Sequence, residues 1–285
     1  MSLLKPNYQY NLGYALGGGG SRGFAHLGVL KALDESGLRP HVLVGTSAGA
    51  LAGVFYADGF HPDEVCELFK KKEFTQFAEF TLPKSGFFKS SGLQSFLKKN
   101  LRAKTFEQLK IPFISVTTNW EQARMVAFSQ GDKLIESVVA SCSVPIVFEP
   151  QCIDGGSYVD GGVFKNLPVS VIRKECKYVV GVNVSRIQPF FEKANIRRIP
   201  ERTFRMMAIA NTLIDRDLCD ILIEPQEISQ FTLFDLKNVE KITQLGYLSA
   251  IKSMEEENFK HIKKRCLRYQ ELSKVVKDYI RNVKI

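Results

Sequence analysis

The 285-residue sequence has little histidine and little tryptophan, with four of the first and one of the second. Its six cysteines (Cys66, Cys142, Cys152, Cys176, Cys219, Cys266) are scattered without a CxxC pair. They read as reduced, structural thiols of a cytoplasmic protein rather than as a disulfide framework or a zinc site. No window approaches the ~20 uninterrupted apolar residues of a membrane span. Met1 to Asn11 lacks the apolar stretch of a signal peptide, so export by that route is not expected. Internal repeats and low-complexity tracts are missing too. The basic residues are dispersed around the lone Trp120 and no recognition motif appears, which leaves nucleic acid the least favoured partner.

What is present is ordinary globular usage, 45% hydrophobic and 24% charged, with a formal net charge of +9 that favours anionic surfaces. The apolar run Gly13 to Leu16 breaks into Gly17-Gly18-Gly19-Gly20-Ser21-Arg22-Gly23. Phe24 to Ser36 then has helical spacing, with Ala25, Val29, Leu30 and Leu33 on one face and Gly37 as a stop. His41 to Val44 reads as the next strand and Ala50 to Ala57 as the next helix, two βα units in series. Pro62 to Ala103 reads as a peripheral insertion, either a lipid-facing cover or plain surface helices. Ile111 to Thr118 and Met125 to Phe128 read as a hairpin, and Ile135 to Ala140 as a helix. Tyr178 to Val184 has the continuous apolar character of a buried parallel strand, with a shorter one at Asp220 to Pro225. Gln188 to Arg202 reads as a mobile loop. From Asn238 the chain is helical, with Leu272, Val276, Tyr279, Ile280 and Val283 in one stripe that suits a helix docked on the body or lying on a membrane surface.

The sharpest local signal is Gly45-Thr46-Ser47-Ala48-Gly49, a GxSxG directly after a strand and before a helix. Such a turn lifts the serine hydroxyl to the carboxyl edge of the sheet, where the helix amino end faces a developing anion. The glycine loop also follows a strand and opens a helix, and glycines let backbone N–H groups approach a tetrahedral oxyanion. The same loop satisfies GxGxxG, but Asp34 and Glu35 fall inside the first helix and the second strand ends on the serine motif, so a dinucleotide site is not expected. A P-loop fails because no GK[ST] closes it. Of His26, His41, His61 and His261, none has a motif around it, so a Ser-His-Asp triad is poorly supported. An aspartate in a dry site can serve a serine directly as base. Asp160-Gly161-Gly162 and Asp154-Gly155-Gly156 both offer one, and spacing alone does not choose between them.

In the order glycine loop, GxSxG and DGG, these motifs resemble the patatin-like phospholipases, bacterial members included, and the likeness covers about residues 12–252. Ala140-Ser141-Cys142-Ser143-Val144-Pro145 and Val163-Phe164-Lys165-Asn166-Leu167-Pro168 resemble the family's text before and after its aspartate, as Leu245-Gly246-Tyr247 resembles the end of its domain. The resemblance implies a serine acyl hydrolase in a three-layer α/β/α fold with a mostly parallel central sheet. It implies Ser47 as nucleophile and Asp160, the aspartate followed by the V-x-x-N-L-P text, as base. It further implies an oxyanion hole from Gly18, Gly19 and Gly20, and Arg22, Gly45, Gly49, Gly161 and Gly162 as supporting residues. Arg22 either orients the loop or meets a phosphate. The implied substrate is a (lyso)phospholipid or related acyl ester, with no metal or cofactor, and the partner implied by charge is an anionic membrane surface on its cytoplasmic side. Cys142 and Lys165 depart from the usual residues and are expected to stay clear of the chemistry. Residues 253–285 form a basic helical extension outside the resemblance. An acyltransferase, or a lipid-binding protein without activity, remains the alternative, and the oligomeric state is open.

Overall fold

The protein is described from a computed structural model, which covers residues 8–70, 77, 79–80, 88–186, 199–232 and 236–283. Strand β1 (Tyr10–Leu16) leads through the glycine loop to α1 (Phe24–Glu35), and β2 (Val42–Thr46) leads to α2 (Ala48–Ala57). Then come α3 (Pro62–Lys70), the two-residue strands β3 (Glu79–Phe80) and β4 (Phe88–Lys89), and α4 (Ser91–Asn100). Next are β5 (Phe113–Asn119), β6 (Arg124–Phe128), α5 (Leu134–Ser141), β7 (Gln151–Ile153) and β8 (Gly156–Asp160). The chain closes with α6 (Val169–Ile172), β9 (Cys176–Val182), α7 (Ile199–Asp217), β10 (Ile221–Ile223), α8 (Val239–Met254) and α9 (Glu257–Val283).

The central sheet has the order β10-β9-β1-β2-β5-β8-β7, with β6 also on β5. The five strands from β10 to β5 run parallel, and β6, β7 and β8 add antiparallel pairings. Both faces of the parallel strands are buried, which is why β1 and β9 read as nearly unbroken apolar runs. On one face Leu12, Tyr14 and Leu16 of β1 and Val180 and Val182 of β9 join the core formed with α1, α2, α5 and α8. On the other, Ala15, Val42, Val44, Val116 and Val179 meet Val169 and Ile172 of α6. The result is the expected three-layer α/β/α arrangement, with one thick and one thin helical layer.

Two expectations are corrected. The segment Pro62 to Ala103 is not peripheral: Val65, Phe69, Phe77, Leu93 and Leu97 are buried in the larger core cluster. Its i, i+4 pairs, Val65 with Phe69 and Leu93 with Leu97, are amphipathic helical signals, separated in sequence by Lys70-Lys71-Lys72 and the Lys84-Ser85-Gly86 run. Of the loop expected over Gln188 to Arg202, residues 188–198 lie outside the described residues, and 199–202 form the first turn of α7. In α9, Phe259, Ile262 and Cys266 are core residues while Leu272 of the predicted stripe is exposed. The rest of that stripe lies outside the described side chains. Among the described residues no helix is long and apolar enough to cross a membrane, and all six cysteines are free thiols.

Candidate active site

Ser47 stands between the last residue of β2 and the first of α2, with φ 53° and ψ −123°. A non-glycine residue in that region stores backbone strain, of order 1–3 kcal/mol, that the surroundings must hold. They do so at both ends. A Cβ at Gly45 would lie 2.5 Å from the Gly49 carbonyl oxygen, and one at Gly49 would lie 2.1 Å from that of Leu16, so neither position accepts a side chain. The Ser47 N–H donates to Ser141 Oγ at 2.8 Å, and that hydroxyl donates to the Val116 carbonyl at 2.6 Å, tying the elbow to β5. Cys142 Sγ donates to the Ser47 carbonyl at 3.3 Å, so this residue, expected away from the chemistry, contacts the elbow directly.

Strand β5 brings Asp160 to the serine. On one of its edges β2 pairs as far as Thr46 with Val116, and β8 continues on that same edge from the next position, Asp160 with Thr117. Because β8 runs antiparallel to β5, its last residue meets the carboxyl end of β2 head-on. Asp160 is fully buried, and its Oδ1 accepts from the Gly162 N–H at 2.7 Å. The other oxygen, Oδ2, is buried without a hydrogen bond of ordinary geometry. Burial pushes the carboxyl's pKa up to about 7, against the opposing pull of the Ser47 hydroxyl and the Gly162 N–H. Gly161 is confined by the Val116 carbonyl, 2.3 Å from where a Cβ would sit. Asp154, by contrast, is exposed in the β7–β8 turn and pairs with Lys133 at 3.4 Å.

The glycine loop crosses the same edge. Gly17 N–H donates to the Val182 carbonyl and Gly18 N–H to the Asn166 carbonyl, both at 3.0 Å, while Ser185 Oγ donates to the Gly18 carbonyl. The N–H groups of Gly19 and Gly20 meet no acceptor among the described residues. Of the three glycines expected to line an oxyanion hole, Gly18 therefore has its donor already committed. Arg22 is buried and its Nε donates to the Phe231 carbonyl at 3.1 Å, next to the Ser21 hydroxyl on the Thr232 carbonyl. His26 Nε2 donates to the Gly17 carbonyl at 2.7 Å, and burial lowers its pKa to about 4, keeping it neutral. Lys165 pairs with the buried Asp215 at 2.7 Å, and its carbonyl accepts from the Thr46 hydroxyl at 2.8 Å.

Three participants were missed in the sequence. Ser141 and Asn166 appeared there only as parts of family texts, and Asn211 not at all. Asn166 accepts from Gly18, and its own N–H is held by Asn211 Oδ1 at 2.8 Å; Asn211 Nδ2 donates to the Gly162 carbonyl at 2.8 Å. Asn211 lies on α7, a helix with no local signal linking it to the motifs.

From Ser47 opens an apolar cleft of about 710 Å³ including its mouth, walled by Phe24, Leu51, Phe69, Phe77, Leu93 and Phe148. A smaller pocket of about 300 Å³ shares Phe24, Leu51 and Phe69 with it and continues to Leu27, Ala52 and Val65. The paired cavities suit a flexible hydrocarbon chain laid against the serine.

A protein-family description, Patatin-like phospholipase, matches residues 14–172. Human patatin-like phospholipase domain-containing protein 6 is 26% identical over 268 residues, 81% of this chain and 19% of the relative. An uncharacterized NTE family protein of Mycobacterium tuberculosis is 31% identical over 161 residues, 55% of this chain and 44% of that one. The chain thus spans about one fifth of the length of the human relative. Crystalline VipD from Legionella pneumophila aligns with 87% of this chain and 67% of its own at 15% identity and a TM-score of 0.48. With the family description matched over more than half its residues, this chain belongs to the patatin-like phospholipase family.

Proposed function

We propose that the chain is a serine acyl hydrolase that cleaves carboxylic esters of (lyso)phospholipids or related lipids through a Ser47–Asp160 dyad. The observation that carries this reading is the strained serine set against a buried carboxyl whose second oxygen has no ordinary hydrogen bond. Ser47 Oγ attacks the ester carbonyl carbon while its proton passes to the ionised Asp160. The oxyanion is received by the Gly19 and Gly20 N–H groups of the loop before α1. Collapse breaks the ester C–O bond, and the proton returns from Asp160 to the departing alcohol. Water then gives its proton to Asp160 and attacks the acyl-enzyme; the fatty acid leaves and Ser47 regains its proton. The acyl chain occupies the Phe-lined cleft. Residues 12–252 carry the chemistry, with 253–285 as a basic extension, and the enzyme works at a membrane surface on its cytoplasmic side.

A fluorophosphonate probe should label the wild-type chain at Ser47 and leave Ser47→Ala unlabelled. In parallel, hydrolysis of a p-nitrophenyl acyl ester should vanish in the variant. Wild-type turnover by Ser47→Ala would sink the proposal.

A further inference from the structure

Helix α7 has two unlike sides. Its inner side carries the buried Ala208, Thr212 and Asp215 and presents Asn211 to the loops after β8. Its outer side exposes Ile199, Met206, Met207, Ala210, Leu213 and Ile214, with Ile214 73% exposed. At ~100° per residue these six fall within one sector four turns long, broken by Thr203 and ended by Asp217. On the same rotation Arg202 stands at the sector's edge, while Arg205 and Arg216 turn toward the inner side, where Arg216 holds Glu224 at 2.7 Å. Phe164, on the loop that Asn211 fastens, is exposed as well. A row of large apolar side chains on a surface helix is a binding surface rather than scattered exposure. An exposed apolar face on a helix of a basic chain is the pattern of a helix that lies in a lipid interface.

We propose that the outer face of α7 docks this chain on an anionic lipid surface. The occupant is lipid rather than a second copy of the chain because the chain's net charge of +9 favours anionic headgroups and opposes self-contact. The helix also abuts the loop holding Asp160, so docking there brings the site to the surface that holds its substrate. The inference rests on the acyl hydrolase reading for its purpose, but the docking itself is measurable without turnover.

The test uses the full-length chain, the single variant Ile214→Glu and the double variant Met206→Glu/Ile214→Glu. Both sites are exposed, so circular dichroism and the Tm should stay at wild-type values. Co-sedimentation with phosphatidylcholine vesicles containing about one quarter phosphatidylglycerol should weaken about tenfold for the double variant and less for the single. Wild-type binding should also fall when phosphatidylglycerol is omitted. Hydrolysis of a monomeric, water-soluble acyl ester should be unchanged, whereas hydrolysis of vesicle lipid should drop in step with binding. Unaltered vesicle binding would overturn the docking proposal, as would variants that instead dissociate a lipid-free oligomer. An inactive wild type on the soluble ester would overturn the hydrolase reading while leaving the sedimentation result intact.

Discussion

Asp160→Asn should lower kcat/KM by about 10³-fold or more and at the same time make the fold more stable at pH 8. Both effects come from one buried carboxyl. Its pKa is about 7 in the folded protein against 3.8 as the ordinary value, with burial as the main cause. Between those values the native state binds more protons than the unfolded chain, so stability falls as pH rises from 4 to 7. Above pH 7 the full penalty is present, at most about 4 kcal/mol at ~1.4 kcal/mol per pKa unit. Asparagine does not ionise and escapes the penalty, but loses the charge-assisted bond from the Gly162 N–H. A net gain of about 2 kcal/mol at pH 8, shrinking toward zero near pH 4, is the expected result. Urea unfolding of both proteins at pH 5 and pH 8 measures it. For the wild type, kcat/KM should rise with pH to a plateau, with a midpoint near 7 as the base ionises. Asp154→Asn, in an exposed turn, should change neither quantity much. Equal stabilities of wild type and Asp160→Asn at pH 8 would show that the carboxyl is not desolvated.

The second large effect lies away from the chemistry. Gly28→Ala should destabilise the protein by about 3 kcal/mol or more, even though alanine for glycine inside a helix ordinarily adds ~1 kcal/mol of stability. A Cβ at Gly28 would lie 1.9 Å from the Thr243 carbonyl oxygen and 2.5 Å from the Tyr247 nitrogen, and one at Gly246 would lie 2.1 Å from the Ala25 carbonyl oxygen. Helices α1 and α8 therefore touch backbone to backbone at paired glycines. They must separate to admit a methyl group, and the core between them opens. A Tm lower by about 10 °C is expected for a chain of this size. An unchanged or raised Tm would mean that the helices have room to move.

How much of this was legible beforehand follows from sequence distance. The elbow around Ser47 and the loop at Gly17 to Gly23 are local devices: tight turns that only small residues build, at known places relative to a strand and a helix. The choice of Asp160 over Asp154 rested on family text, whereas what brings Asp160 toward Ser47 is the shared edge of β5, a pairing no local pattern encodes. Asn166 and Asn211 hold the loops together across 45 positions of chain, and Ser141 reaches back 94 positions to Ser47. Such residues look like any buried polar side chain in sequence. The Phe-rich stretch after Pro62 was misjudged because its lysines suggested a surface, while its phenylalanines turned out to wall the cleft.

The pairing of β1 with β9 sets the order in which the molecule can be made. The glycine loop is closed by the carbonyls of Val182 and Asn166 and by the Ser185 hydroxyl, all supplied more than 140 residues after Gly17 and Gly18 leave the ribosome. A nascent chain that has emerged only through α5 owns its serine elbow but neither Asp160 nor the groups that close the glycine loop. Contacts of such long sequence separation form late. On the proposed mechanism, hydrolytic power arrives as one of the last events of folding, once the β9 strand pairs beside β1.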